Sequence, residues 1–351
     1  MLTIVGDCDQ RLFGMTPAER LSRQAPRLGD LHLVAHASAV LSDDTVSWLA
    51  AHPGTIVASA EGRPLAVAVK AGDLDSAKAA IGGAHSAMTV ARADAIGPVY
   101  VRKLRRTLKP LALALGEQSK DSVERKLFAS VYKGVTDLVT KFAWPEPALW
   151  LTRAAAALGL APNAVTVIGL VLTLIAGWQF YVGNLAIGLF AAWLMTLLDT
   201  VDGKLARVTL TSSQLGNLLD HGNDILHPPI WWYCLAHGIA VTSAAAAPQL
   251  WLAFWVILGC YVASRAIETS FRLKFGFNPF MWTPFDSRFR LIISRRNVIL
   301  LLMTVGLALG IAHEAYLACA LWSIVSTLFQ LFRLGQAFAI GRSQSIRPWL
   351  S

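Results

Sequence analysis

Charge is scarce in this chain. Only 15% of its 351 residues are Asp, Glu, Lys or Arg, 55% are hydrophobic, and the mean hydropathy is +0.50. That composition excludes an ordinary soluble protein and points to the membrane. Cysteine is scarce too: Cys8, Cys234, Cys260 and Cys319 stand far apart with no C-x-x-C spacing, so neither a zinc site nor a disulfide framework is expected. Three of them lie in apolar runs and read as small packing residues. The opening MLTIVGDCDQR lacks a basic stretch followed by an apolar one, so no cleavable signal peptide is expected. The net charge is +9, yet the basic residues are not interleaved with aromatics in a soluble module. Anionic lipid headgroups are therefore the expected partner, and nucleic acid is not.

What charge there is gathers in the first 145 residues and in short clusters between apolar runs. Residues 1–100 read as a small α/β domain, with short β-rich runs at 2–5, 31–34, 55–59 and 65–69 between helical patterns. Thr16-Pro17-Ala18-Glu19 spells a capping box with proline in the first turn. A second helix is predicted from Asp44 to Ala51, stopped by Pro53-Gly54. Residues 101–150 read as a basic linker and an amphipathic helix on the membrane surface. There Val123, Leu127, Val131, Val135, Leu138 and Phe142 recur at helical spacing opposite Arg125, Lys126, Lys133 and Lys141.

Residues 151–340 then form a helical membrane domain. Six crossings are predicted, at about 163–182, 184–203, 215–239, 248–270, 297–313 and 314–335. Lys and Arg cluster after the second, fourth and sixth segments, while the turns at 183–184, 240–249 and 312–315 contain none. The positive-inside rule places both termini and those basic loops in the cytoplasm. Pro228-Pro229 is expected to kink the third segment.

The chemistry sits at the junction of the second and third segments. On a helix, Asp199, Asp202, Gly203 and Ala206 fall at i, i+3, i+4 and i+7 and share a face, and Gly216, Asp220 and Asp224 share a face of the next helix. Four carboxylates meeting at a membrane boundary repel one another unless a cation or protons intervene. Carboxylate oxygens select a hard divalent ion such as Mg2+ or Mn2+, one or two, suited to holding a pyrophosphate. A carboxylate not fully committed to metal would take a proton from an attacking hydroxyl. Gly203, Ala206 and Gly216 leave helix backbone uncovered for a nucleotide, and Arg207 is placed to reach a phosphate.

The pattern D-x2-D-G-x2-A-R-x8-G-x3-D-x3-D, complete at all eight fixed positions from Asp199 to Asp224, resembles that of the CDP-alcohol phosphotransferase family. The resemblance covers roughly residues 145–335. It implies a six-helix membrane enzyme that transfers a phosphoalcohol group from a CDP-linked donor to an acceptor hydroxyl and releases CMP. It implies that Asp199, Asp202 and Asp220 bind metal, that Asp224 binds metal or serves as base, and that Gly203, Ala206 and Arg207 line the CDP site. Pro162-Asn163-x-x-Thr166 resembles the family's entry motif, with Asn163 and Thr166 toward the nucleotide. Related transferases are often dimers, which leaves a homodimer open without deciding the oligomeric state. The first unit resembles a shortened nucleotidyltransferase-like fold but has no G-x-G-x-x-R loop near its start, so it is expected to be degenerate and non-catalytic.

Arg288, Arg290, Arg295 and Arg296 precede the fifth segment and are candidate ligands for a phosphorylated acceptor. His221 and His227, beside the acids, read as hydrogen-bonding residues because a hard-ion site seldom needs imidazole. The expected donor is of CDP-diacylglycerol type, and the acceptor a small polyol, a polyol phosphate or a second lipid. A soluble donor such as CDP-inositol is the alternative. A transporter with an acidic ion site would need polar residues continuing to the opposite face, whereas these acids stop at one end.

Overall fold

Burial on both faces decides the first sheet. In the computed structural model, which describes the backbone of residues 1–242 and 247–350, the strands are β1 (Leu2–Val5), β2 (His32–His36), β3 (Ala39–Leu41), β4 (Ile56–Ala58), β5 (Pro64–Val69) and β6 (Val90–Arg92). The side chains of Leu215, Asn217, Asp220, His221 and Thr242 fall outside the described residues. All these strands except β3 join one mixed sheet in the order β1-β2-β5-β4-β6, with β1 parallel to β2, β4 parallel to β6 and the middle pairs antiparallel. Successive residues of β2 point to opposite faces. Leu33 and Ala35 pack with Leu21, Val46 and Leu49, while Val34 packs with Val67, Ala77 and Ile81. Helices α1 (Pro17–Gln24) and α2 (Asp43–Ala51) therefore supply one core, and α3 (Leu74–Ile81) the other.

The capping box of α1 forms as the sequence predicts: Thr16 Oγ1 accepts from the Glu19 amide at 3.2 Å, and Glu19 accepts from the Thr16 amide at 2.8 Å. Asp43 accepts from Gln24 at 2.8 Å and pairs with Arg27 at 2.6 Å, an acid at a helix start held by its neighbours. Residues 99–130 are more ordered than a linker. Strands β7 (Val99–Val101) and β8 (Arg106–Leu108) make a hairpin, β9 (Ala112–Ala114) pairs with β3, and α4 runs from Lys120 to Ser130.

The long amphipathic helix expected over 121–142 is broken. Gly134 and the β-branched Val131, Val135 and Thr136 disfavour a helix there, and the chain resumes as a π-helical turn at Val139–Ala143 and helix α5 (Pro145–Ala157). Val123 and Leu127 of α4 are fully buried, so its apolar face belongs to a protein core rather than to lipid.

The chain divides into two compact units: Met1–Lys133 with Leu149–Ala161 and Lys204–Ser212, and Gly134–Ala148 with Pro162–Gly203 and Ser213–Ser351. The second holds α6 (Pro162–Tyr181), most of α7 (Leu185–Val208), α8 (Gln214–Thr242), α9 (Ala247–Phe275), α10 (Pro284–Phe289), α11 (Arg296–Ala308) and α12 (Ala312–Ile340). Among the described residues, α6, α7, α9 and α12 are long and apolar enough to cross a membrane. They expose Leu174, Trp178, Phe190, Leu252, Trp255, Leu328 and Phe332, a surface suited to lipid. The chain is an integral membrane protein.

Inside, Phe180, Met195, Trp231, Ile257, Met303 and Tyr316 share one core, and the Tyr316 hydroxyl donates to the Trp232 carbonyl at 2.8 Å. A Cβ on Gly238 would come within 1.9 Å of the Phe180 carbonyl oxygen, so only glycine lets α8 approach α6 this closely. Pro228 and Pro229 lie inside α8, whose helical run extends through them to Thr242.

Candidate active site

Helix periodicity aligns Asp199 and Asp202 on α7, and residues from other helices hold each of them. Asp202 is buried; its Oδ2 accepts from Thr166 Oγ1 at 2.6 Å, and its Oδ1 accepts from the Gly203 amide at 2.5 Å. Asp199 and Asp224 share one guanidinium: Arg296 donates to Asp199 Oδ2 at 2.6 Å and to Asp224 Oδ1 at 2.8 Å. Arg296, assigned from sequence to an acceptor, thus sits first of all on two of the acids. Asp220 carries a side chain outside the described residues, as does His221.

Asn163 and Gly216 meet through a residue the sequence reading missed. Ser213 caps α8, its hydroxyl accepting from the Gly216 amide at 3.0 Å and donating to Asn163 Oδ1 at 3.1 Å. The serine before the Gln214 helix start was the available signal. A Cβ on Gly216 would lie 2.5 Å from Asn163 Oδ1. Alanine ordinarily favours a helix over glycine by about 1 kcal/mol, so any loss in Gly216→Ala must come from displacing Asn163 and the Ser213 hydroxyl, which would lie 3.0 Å from that Cβ. The expected outcome is a donor KM raised about tenfold, the scale of one lost hydrogen bond of about 1.4 kcal/mol, read from initial rates at saturating acceptor.

A cavity of about 110 Å³ adjoins the acids, lined by Asp137, Asp224, Tyr261, Ser264, Arg265, Arg290, Arg295, Arg296, Asn297 and Gln330, among others. A single water needs roughly 10–15 Å³ on this measure, so there is space for a small polar ligand. Arg288 is exposed and absent from this wall, whereas Arg265, read from sequence only for topology, is part of it. Arg295 pairs with the buried Glu268. His227 is buried, its Nδ1 donating to the Asn223 carbonyl at 2.6 Å and its ring against Trp231.

Asp137 anchors the far wall, accepting from Asn297 Nδ2 and from the Thr140 amide, both at 3.0 Å. Burial alone would raise its pKa; Arg290 and the hydrogen bonds from Thr140 and Asn297 outweigh burial and hold it below the usual carboxylate value. A depressed folded value stabilises the native state above the unfolded pKa and is lost as pH falls through the folded one. Asp137→Asn should therefore lower the apparent melting temperature at pH 7, with the gap from wild type closing below about pH 4, as followed by thermal scans across pH.

Among the described residues, no three His, Cys, Asp or Glu side chains gather as a metal-holding group. The donor set is nonetheless one of hard oxygens: Asp199 and Asp202 line a small second cavity with Thr166 and Asn223, and carboxylate and amide oxygens suit Mg2+ or Mn2+.

Residues 159–326 match the family described as CDP-alcohol phosphatidyltransferase. Its members generally use divalent metal ions. Two curated relatives and one solved structure give the likeness its detail. An archaetidylinositol phosphate synthase of Pyrococcus horikoshii is 31% identical over 120 residues, 34% of this chain and 60% of that protein. A cholinephosphotransferase 1 of Danio rerio is 33% identical over 136 residues, 33% of each chain. A phosphatidylinositol phosphate synthase of Mycobacterium tuberculosis, solved with CDP-DAG bound, has 18% identity and a TM-score of 0.40, covering 52% of this chain and 90% of that one. The chain thus spans less than two thirds of the length of these curated relatives.

Proposed function

We propose that this chain moves a phosphoalcohol group from a CDP-alcohol onto an acceptor hydroxyl and releases CMP, as a transferase of phospholipid synthesis. The favoured donor is of CDP-diacylglycerol type and the acceptor a small polyol or polyol phosphate. One observation carries the reading: Asp224 shares a cavity wall with Arg265, Arg290, Arg295 and Arg296. A carboxylate suited to taking a proton borders a space rich in guanidinium groups, which favours an acceptor bearing phosphate. The name of the Pyrococcus relative, archaetidylinositol phosphate synthase, favours inositol phosphate in that role.

Asp199, Asp202, Asp220 and Asp224 would hold one or two Mg2+ or Mn2+ ions, whose charge would neutralise the pyrophosphate. Gly203, Ala206, Arg207, Gly216, Asn163 and Thr166 receive the cytidine nucleotide, with Thr166 also orienting Asp202 through its hydroxyl. Asp224 takes the acceptor's hydroxyl proton as the acceptor oxygen bonds to the phosphorus bearing the donor alcohol. The bond from that phosphorus to the bridging oxygen breaks, and CMP leaves with that oxygen. Arg290, Arg295 and Arg296 hold an anionic acceptor, and Arg288 contributes at most from outside the cavity wall.

Six crossings remain the reading of the membrane domain, with α8 and the 13-residue α11 joining the four long apolar helices. The basic loops support a cytoplasmic site and termini, and the resemblance supports a homodimer. Residues 1–100 are read as a degenerate nucleotidyltransferase-like domain without catalysis of its own, 101–150 as the juxtamembrane segment, and 151–340 as the transferase domain. Purified protein should release CMP from labelled CDP-diacylglycerol only with a divalent ion and an acceptor, inositol phosphate ahead of glycerol phosphate. Release from CDP-inositol alone would move the donor assignment to a soluble CDP-polyol.

A further inference from the structure

The C-terminal end of α7 is finished in an unusual way. A helix leaves its last four carbonyls without intrahelical partners. Here Thr211 N donates to the Ala206 carbonyl at 2.9 Å and Leu210 N to the Arg207 carbonyl at 3.4 Å, with Leu210 in the left-handed region at φ +55°. This is the Schellman arrangement, with leucine where glycine is usual. The next two carbonyls belong to Val208 and Thr209, and both are taken by arginines of α1. Arg20 donates to Val208, and Arg23 donates to Thr209 at 2.5 Å.

The donors come from 188 and 186 residues earlier in the chain. Arg20 is buried, only 5% exposed, which is rare for an arginine that does not meet a specific partner. Positive charge at a helix C-terminus also complements its dipole. Lys204, one turn earlier and buried, lies 3.7 Å from the centre of the Tyr132 ring. Residues 204–209 are therefore gripped by side chains of the same compact unit at three places.

We propose that Arg20 and Arg23 are positioning residues for the nucleotide donor: by closing the end of α7 they fix Ala206 and Arg207, whose own carbonyls form the other half of the cap. This gives the N-terminal α/β unit a part in donor binding without any catalytic group of its own. The proposal rests on reading Arg207 as a nucleotide contact, so the test includes that residue.

Full-length protein in nanodiscs, as wild type, Arg23→Ala, Arg23→Lys, Arg20→Lys with Arg23→Ala, and Arg207→Ala, is assayed for KM of the donor, KM of the acceptor and kcat. Binding of CDP is titrated in parallel without turnover. Arg23 is exposed, so its single variants test the idea even if the double variant fails to fold. The expected result is a donor KM and CDP dissociation constant raised about fivefold to tenfold in Arg23→Ala, the scale of one lost hydrogen bond at an exposed position. The acceptor KM is unchanged, and Arg23→Lys recovers most of the loss. A merely structural role would lower kcat with the folded fraction and leave both KM values alone, and that result overturns the proposal. If Arg207→Ala itself leaves CDP affinity unchanged, the nucleotide reading of Arg207 fails, and the proposal falls with it. If Arg207→Ala weakens CDP binding and the α1 variants do not, the clamp alone is wrong.

Discussion

Asp224→Asn should lower kcat by about 10²–10⁴-fold, the range that loss of a general base commands, while leaving the fold intact. Asn keeps the shape of the side chain and removes its capacity to hold a proton at neutral pH. Asp224 is 46% exposed at its side chain and borders the arginine-lined cavity, so the exchange buries no new polar group. Asp202 offers the contrast. It is buried and already accepts from Thr166 and the Gly203 amide, so Asp202→Asn would replace one accepting oxygen with an amide N–H, force the Thr166 hydroxyl to turn toward the Pro162 carbonyl, and reduce stability as well as turnover. Single-turnover CMP release together with thermal scans separates the two variants. Full turnover in Asp224→Asn would remove Asp224 as the base.

A second large effect is expected at Arg296. Its guanidinium, charged at any working pH, binds Asp199 and Asp224 at 2.6 and 2.8 Å and so competes for the carboxylates proposed to hold a divalent ion. Arg296→Gln leaves those two acids facing each other without their counter-ion, which favours a cation between them. Mn2+ should then bind about tenfold tighter, equivalent to roughly 1.4 kcal/mol. The acceptor KM should rise at the same time, because the cavity loses one of its four guanidinium groups. Electron paramagnetic resonance of free Mn2+ reads the first effect and initial rates read the second. Unchanged or weaker Mn2+ binding would mean that Arg296 does not compete for these carboxylates.

What the sequence disclosed was whatever one helix contains. Asp199, Asp202 and Gly203 fall on one face by periodicity alone, and the Thr16 capping box and the Pro53-Gly54 stop are equally local. Contacts across long separations stayed hidden. Arg296 reaches acids 72 and 97 residues away, and the Thr166 hydroxyl crosses 36 residues to Asp202; no pattern of charge or spacing encodes those pairings. The α4 segment shows a different limit. Its apolar spacing was read correctly as helical, yet spacing does not say whether Val123 and Leu127 face lipid or a protein core, and both are buried. The hairpin at 99–108 was read as linker because each strand is only three residues long and its basic residues obscure any alternation.

The most direct test of the account is Mn2+ titration of the purified protein, with and without a CDP-alcohol, in wild type, Asp199→Asn and Asp202→Asn. Acids of α7 and α8 acting together on a metal and a pyrophosphate require saturable Mn2+ binding in the wild type, tightened by the CDP-alcohol and lost in either variant. Mn2+ binding of equal strength in all three proteins, indifferent to the nucleotide, would contradict it.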